Sequence, residues 1–161
     1  MAATSNFDEN LGLEATHLVE LFRYWQSLLR VKELPARADI DPQAIPALLP
    51  YCELIDVHRD PLDFEYRLVG TLIDEIVTQS YTGLRLSEIP TQNSPSLMFS
   101  LYEQVTKEKR PVRSVLPYTG ELPDIKDVES LVLPLSSNGH DVDMLLGGIA
   151  LRRPDRDIIS C

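Results

Sequence analysis

The chain has 161 residues, of which 43% are apolar and 25% charged, and this length and composition suit a single folded soluble domain. Its formal net charge of −10 would repel nucleic-acid phosphates and anionic lipid surfaces, so we expect neither nucleic acid nor a membrane as a partner. No apolar run approaches the roughly 20 residues that span a bilayer, and "MAATSNFDEN" does not resemble a secretion leader, so we expect a cytoplasmic protein.

The N-terminal part is predicted to be an irregular lead-in over residues 1–13, followed by an amphipathic helix from Glu14 to about Lys32. The apolar residues of this helix recur at steps of three and four and therefore form one wide stripe. Such a stripe must be buried against its own domain or against a second copy of the chain. We expect a homodimer through this stripe, with the interface residues Leu18, Leu21, Phe22, Trp25, Leu28 and Leu29.

A proline-rich connector and a hairpin follow. In "LPARADIDPQAIPALLP", Asp41 and Pro42 are typical of the cap and first residue of a short helix. "YCELIDVH" (51–58) and "FEYRLVG" (64–70), joined by the turn-rich "RDPLD", predict two antiparallel strands. Strict alternation would place Phe64, Tyr66 and Leu68 on one face and Arg67 on the other, near Glu20 or Glu65 or in water.

Helical spacing returns in "TLIDEIVTQSYTG" (71–83), with Thr71 as a cap and Gly83 as a stop, and again in "SPSLMFSLYEQVTKEKRP" (94–111). Three strand patterns come next, over residues 112–118, 128–135 and 142–151, and the Asn-Gly pair in "SSNGHD" predicts a hairpin between the last two. The final pattern is apolar at odd and even positions, so we expect cover on both faces, from the N-terminal helix and from the crossover helices.

This order of elements resembles the PAS sensory domain, and in particular a group of small stand-alone bacterial PAS-like proteins. The resemblance is carried by "LPARADIDPQAIPALLP", "FEYRLVGT", "YTG" with "LSEI", "RPV" and "LVLPLSSNG", over roughly residues 34–140. It implies an α+β fold with a five-stranded antiparallel sheet, a helical crossover around a small internal pocket, and an N-terminal helix that often makes dimer contacts. We accordingly divide the chain into a lead-in and helix (1–33), a PAS-like domain (34–153) and a tail (154–161).

No motif in the sequence indicates a cofactor, a metal site or a catalytic residue. Cys52 and Cys161 show no metal-ligand spacing, and neither lies in the crossover motif that light-sensing PAS domains use to hold flavin. His17, His58 and His140 do not lie on the crossover, from which haem-binding members commonly take a ligand, and are interpreted as surface or capping residues. The serines beside His140 are interpreted as part of a polar turn.

We therefore predict a non-catalytic sensory or interaction module that binds a small apolar or aromatic ligand or a protein partner, with its signalling output on another polypeptide. Two alternatives stay open: a small hydrolase or isomerase, for which the sequence offers no base in a recognisable setting, and a ligand-free interaction scaffold. The predicted pocket residues, which could equally fill a solid core, are Phe64, Tyr66, Leu68, Ile76, Tyr102, Leu131 and Leu133.

Overall fold

The computed structural model describes residues 10–29 and 33–154. Within these ranges the helices are α1 (Thr16–Ser27), α2 (Thr71–Ile76) and α3 (Leu97–Glu108). The strands are β1 (Cys52–His58), β2 (Asp63–Val69), β3 (Val112–Pro117), β4 (Asp127–Leu135) and β5 (Met144–Arg152). The predictions for Lys32, Cys161 and most of the lead-in lie outside the described residues.

The five strands form one sheet in the order β2-β1-β5-β4-β3, and every neighbouring pair is antiparallel. The predicted α+β class and five-stranded antiparallel sheet are therefore confirmed. β5 lies in the middle of the sheet, which explains why its sequence is apolar at both odd and even positions. The predicted antiparallel pairing of the first two strands and of the last two is also confirmed.

The strand register assigns side chains to the two faces of the sheet, because residues paired across antiparallel strands point to the same side. One face carries Glu53, Ile55 and Tyr66 and looks toward α2 and α3; we call it the crossover face. The other is covered by α1, and we call it the α1 face. There Gly148 of β5 lies directly under Leu21, whose Cδ2 would be only 2.6 Å from a Cβ at that position.

The N-terminus of α1 is held by a strand and not by a cap of its own. Its N-cap residue, Ala15, has no capping side chain. Instead the buried Glu129 of β4 accepts hydrogen bonds from the Ala15 and Glu14 backbone N–H groups at 2.9 and 3.0 Å. Arg113 of β3 neutralises the same carboxylate, with its Nη2 2.8 Å from Oε2. This charged group thus satisfies the N–H of the N-cap residue and the N–H of the residue before it, where the chain enters the helix.

The apolar stripe of α1 is buried within the chain. Its central residues Leu18, Leu21, Phe22 and Trp25 are at most 2% exposed, and the indole Nε1 of Trp25 donates to the Pro134 carbonyl at 3.0 Å. Leu28 and Leu29 are half-buried beside this core. The stripe was predicted to pack either against its own domain or against a second copy of the chain. In the structure it packs against the chain's own sheet. The homodimer remains a prediction, but in this conformation its interface would have to use other residues than the four buried ones.

The second strand departs from simple alternation. A register shift between Leu54 and Ile55 leaves Arg67 without a direct partner, since Ile55 pairs with Tyr66 and Leu54 with Leu68. This irregularity turns Leu68 to the face opposite Tyr66, where it is 53% exposed. The expectation that Leu68 shares a face with Tyr66 is therefore wrong. Arg67 pairs with neither predicted glutamate, because its Nη1 lies 3.1 Å from Asp56 Oδ2 on the adjacent strand.

The crossover also differs in detail from its predicted form. The helix that begins at Thr71 ends at Ile76, well before Gly83, because the β-branched Val77 and Thr78 that follow are weak helix formers. Thr71 is the first helical residue, and Gly70 occupies the N-cap position. Gly70 has an ordinary negative φ, but a Cβ there would collide with the Pro50 carbonyl oxygen, so the glycine is required by close backbone packing.

Candidate functional site

A cavity of about 140 Å³ lies between the crossover face of the sheet and α2 with the segments that follow it. Most of its wall is apolar, and its polar groups come from different elements. The apolar wall includes Ile73, Ile76, Val77, Leu116, Val128 and Ile149. The polar groups include Glu53, Tyr66, Tyr81, Gln92 and Ser130.

Four of the polar side chains in and behind this wall form two neighbouring hydrogen-bonded pairs. The hydroxyl of Tyr66 donates to Gln92 Oε1 at 2.6 Å, and the hydroxyl of Tyr102 donates to Glu53 Oε1 at 2.8 Å. The two hydroxyl oxygens are 3.5 Å apart, but each hydroxyl already donates its one proton, so the pairs lie in contact without a further hydrogen bond between them. We call the two pairs together the network. Strand β1, strand β2, the segment before α3 and α3 itself each contribute one member, so the network fixes the crossover to the sheet.

Glu53 is a buried carboxyl group at the second position of β1. Strand pairing places it opposite Gly147 of β5, where a Cβ would lie 2.8 Å from the Glu53 Cγ and 2.9 Å from its Oε1. The glycine therefore provides the space that the carboxyl side chain occupies. Burial raises the pKa of Glu53 to about 7, and the hydrogen bond from Tyr102 opposes that rise.

The neighbouring hydroxyl and thiol groups stay protonated at neutral pH. Burial, reinforced by the negative charge of Glu53, raises the pKa values of Tyr66 and Tyr102 well above the ordinary tyrosine value. Burial likewise raises the pKa of the Cys52 thiol to about 12, and this thiol donates to the Leu48 carbonyl at 3.1 Å. Glu53 is thus the member of this cluster whose protonation changes near neutral pH.

Contacts between aromatic rings fix the positions of Tyr66 and Tyr102, the two tyrosines of the network. The Phe64 ring meets Phe99 and Tyr102 edge-to-face, with centroids 5.2 and 5.5 Å apart. The Tyr66 ring stacks on Tyr81 at 5.4 Å. Such contacts between large rings fix the orientation of the hydroxyl groups that they carry.

The rim of the cavity is formed where the segment after β3 meets the end of α2. The hydroxyl of Tyr118 donates to the Ile76 carbonyl at 2.7 Å and accepts from the Leu122 N–H at 3.3 Å. A Cβ on Gly120 would collide with the Tyr118 hydroxyl, so this glycine is needed for the contact. Tyr118 therefore ties the two sides of the rim together.

Comparison with known families gives one match, a family model described as a PAS domain, which covers residues 13–150. The chain belongs to this PAS-domain family. PAS domains are typically non-catalytic sensory modules, so membership indicates a sensory or interaction module. A search of curated proteins finds no match. Among the helices of the described residues, none has the length and apolar character needed to cross a bilayer.

The structure of this PAS domain separates the predicted pocket residues into two groups. Tyr66 and Ile76 line the cavity, and Phe64 and Tyr102 pack directly behind its wall. A second group of three residues lies on the α1 face. Leu131 and Leu133 pair with Gly148 and Leu146 of β5 there, and Leu68 lies at the edge of the same face. These three residues do not reach the cavity, because side chains alternate between faces along each strand.

Glu53, a buried carboxyl group in the cavity wall, was not among the predicted site residues. The sequence offered no base in a recognisable setting for a pocket-based enzyme, whereas in the structure the carboxyl group of Glu53 lines the cavity. Two signals could have indicated it: a glutamate inside the otherwise apolar "YCELI", and the Gly147-Gly148 pair inside a central strand. Glycine within a strand is typical of a close approach by another group.

The three histidines lie away from the cavity wall. The Nε2 atom of His17 is 2.8 Å from the Ile149 carbonyl oxygen, and its ring contacts Tyr51 with centroids 4.1 Å apart. His58, at the end of β1, is 3.2 Å from Glu65 through Nε2. His140 lies in the polar loop between β4 and β5. Within residues 10–29 and 33–154, no group of three or more His, Cys, Asp and Glu side chains is arranged to hold a metal ion.

Proposed function

We propose that this PAS domain is a sensory module that binds a small, largely apolar ligand in the cavity on the crossover face. The observation that supports this proposal is the composition of the wall: apolar side chains surround a few polar groups, Glu53, Tyr66 and Gln92, that converge from three elements. Binding sites for small molecules typically combine an apolar lining with a few placed polar groups, and residues with perturbed pKa values often mark them.

The size of the cavity limits the ligand. An engineered apolar cavity of about 150 Å³ in another protein holds one benzene molecule. At about 140 Å³, this cavity suits a ligand with a body of similar size. Flavin and haem are much larger than this volume, so the ligand proposed here is a small metabolite.

The sheet offers a route from the ligand to a signalling partner. Ser130 and Ile149 line the cavity, while the residues next to them, Leu131 and Gly148, point to the α1 face. A ligand that shifts β4 or β5 therefore moves the surface on which α1 rests. We propose that a partner protein, or a second copy of this chain, detects that movement through α1.

The proposal is tested by blocking the cavity. Val128 lies in the wall, so Val128→Phe should fill the cavity with a ring, whereas Leu122→Phe enlarges an exposed side chain outside it. Native mass spectrometry of the purified full chain, together with thermal-shift screening of small aromatic and aliphatic compounds, would detect binding. We expect binding to the wild type and to Leu122→Phe and a loss in Val128→Phe. Equal binding by a folded Val128→Phe protein would contradict the proposed site.

A reaction on the bound ligand is a second candidate function, favoured by one observation. Glu53 lines the cavity, and burial raises its pKa to about 7, a value suited to a general acid or base. The typical non-catalytic role of PAS domains argues for binding alone. Incubating an identified ligand with wild type and with Glu53→Gln decides between them, since only an enzyme would convert the ligand and lose that conversion in the variant.

A further inference from the structure

The cavity has a marked imbalance of charge. Its wall contains the carboxyl group of Glu53 and the rings of Tyr66, Tyr81 and Tyr118. No lysine, arginine or histidine is among the described residues that line it. An anionic ligand would therefore meet a carboxylate, with no cation among these lining residues to neutralise it.

Among residues 10–29 and 33–154, no lysine, arginine or histidine forms an ion pair with Glu53 to stabilise its ionised form. Its Oε1 accepts one hydrogen bond, from Tyr102, and the influences on its acidity are burial and that hydrogen bond. A buried carboxylate is costly unless it is paired with a cation or fully hydrogen-bonded. A ligand that carries a positive charge would supply the missing partner.

We infer that the cavity binds a small amine, with its ammonium group at Glu53 near the tyrosine rings and its apolar body against the aliphatic wall. This inference rests on the proposed function, of which it specifies the ligand class. Ammonium groups are attracted both to carboxylates and to the faces of aromatic rings, and this second attraction favours tyrosine-lined sites. The apolar side chains Ile76, Val128 and Ile149 would contact the body of the ligand.

Binding of an amine should be linked to the protonation of Glu53. The titratable groups that face it are Tyr102 from α3, Tyr66 from β2 and Tyr81 from the crossover, and Cys52 precedes it in β1; burial raises the pKa of each. These groups stay neutral between pH 5 and 8. Because burial raises the pKa of Glu53 to about 7, an ammonium ligand must displace its proton at lower pH. We therefore expect affinity to fall roughly a hundredfold from pH 8 to pH 5.

The test uses three probes with the same ring and different charge: benzylamine, benzyl alcohol and benzoate. Isothermal titration calorimetry on the full chain at pH 8 should show benzylamine binding at least about tenfold more tightly than benzyl alcohol, with no binding of benzoate. Tightest binding of benzyl alcohol or benzoate would overturn the amine inference and leave the proposed pocket intact. If none of the three binds, the amine inference fails. Whether the cavity binds another ligand is then decided separately by the native mass spectrometry described above.

Variants identify the group that recognises the amine. Glu53→Gln keeps a hydrogen-bond acceptor for Tyr102 but removes the charge, and should abolish both the preference for benzylamine and its pH dependence. Glu75→Gln, which removes a carboxyl group from the exposed side of α2, is the matched control and should leave both unchanged. Should Glu53→Gln fail to fold, Tyr102→Phe serves instead. Because the Tyr102 hydrogen bond lowers the pKa of Glu53, its loss should move the midpoint of the pH dependence upward, and an unchanged midpoint would contradict the inference.

Discussion

The Glu53→Gln substitution should make the unfolding free energy less dependent on pH. Burial raises the pKa of Glu53 from 4.5 to about 7, so the folded state holds this proton more tightly than the unfolded state does. Between these two values, stability must therefore decrease as pH rises. The difference between the two pKa values corresponds to about 3 kcal/mol of unfolding free energy. The wild type has lost this stabilisation once the pH exceeds about 7. The variant has no carboxyl group at this position and avoids that loss.

The difference in unfolding free energy between Glu53→Gln and wild type is expected to change with pH. Any contribution that does not depend on pH only adds a constant to it. Glutamine adds an amide N–H₂ group whose burial lowers stability by an amount that does not depend on pH. Relative to wild type, Glu53→Gln should therefore gain up to about 3 kcal/mol between pH 5 and pH 8. The relative gain arises because the wild type loses stability as the pH rises. Ionisation leaves its buried carboxylate with one hydrogen bond from Tyr102.

Urea unfolding at several pH values measures this difference directly. Trp25 is the only tryptophan of the chain and is buried, so its fluorescence reports the loss of the core. Glu75→Gln removes an exposed carboxyl group and should follow the wild-type pH profile within about 0.5 kcal/mol. A constant difference between Glu53→Gln and wild type across this pH range would refute the raised pKa and the linkage built on it.

Four further substitutions test separate parts of the structure. Gly147→Ala should cost about 1–3 kcal/mol in urea unfolding, because its Cβ would crowd Glu53, and a neutral effect would contradict that contact. Tyr66→Ala should cost about 3–5 kcal/mol by the same assay, whereas a change below about 1 kcal/mol would mean that the ring is not in the core. Arg113→Met should cost about 3–5 kcal/mol and speed amide exchange at the start of α1, because it leaves a buried carboxylate without its cation; unaltered exchange would contradict this anchor. Trp25→Glu should unfold the chain, as measured by circular dichroism, because it places a charge in the core. If the wild type is a dimer and this variant is a folded monomer, that result would instead support the predicted α1 interface.

The strand segments and the two hairpins could be predicted from the sequence because they depend on local periodicity and turn residues. "YCELIDVH" and "FEYRLVG" differ by only a residue at some ends from the observed β1 and β2, and the apolar β5 pattern correctly indicated a strand that is covered on both faces. The cap at Asp41 was also predicted, and its Oδ1 accepts from the Gln43 N–H at 3.0 Å. These features are fixed by residues close together in the chain.

The sequence did not predict correctly which face of the sheet some side chains occupy. At these positions the face is decided by strand pairing and by the elements that pack on the sheet. Alternation within β2 cannot reveal the register shift that turns Leu68 away from Tyr66, because the shift is a property of two strands together. In the same way, nothing in the pattern of β4 indicates whether Leu131 and Leu133 face α1 or the crossover. Both faces of a central strand are buried, so apolar residues suit either side.

The glycine pair in β5 shows why the candidate site required the structure. Neither glycine has a positive φ, so their role is to provide space: Gly147 for Glu53 on one face, and Gly148 for Leu18 and Leu21 of α1 on the other. Adjacent residues of one strand thus support the carboxyl group of the cavity and the helix on the opposite side. If an amine ionises Glu53 and changes its position, the carboxyl side chain moves against Gly147, which faces it across the β1–β5 pair and is one peptide unit from the surface on which α1 rests. We therefore propose this dipeptide as one physical connection between the proposed ligand and α1.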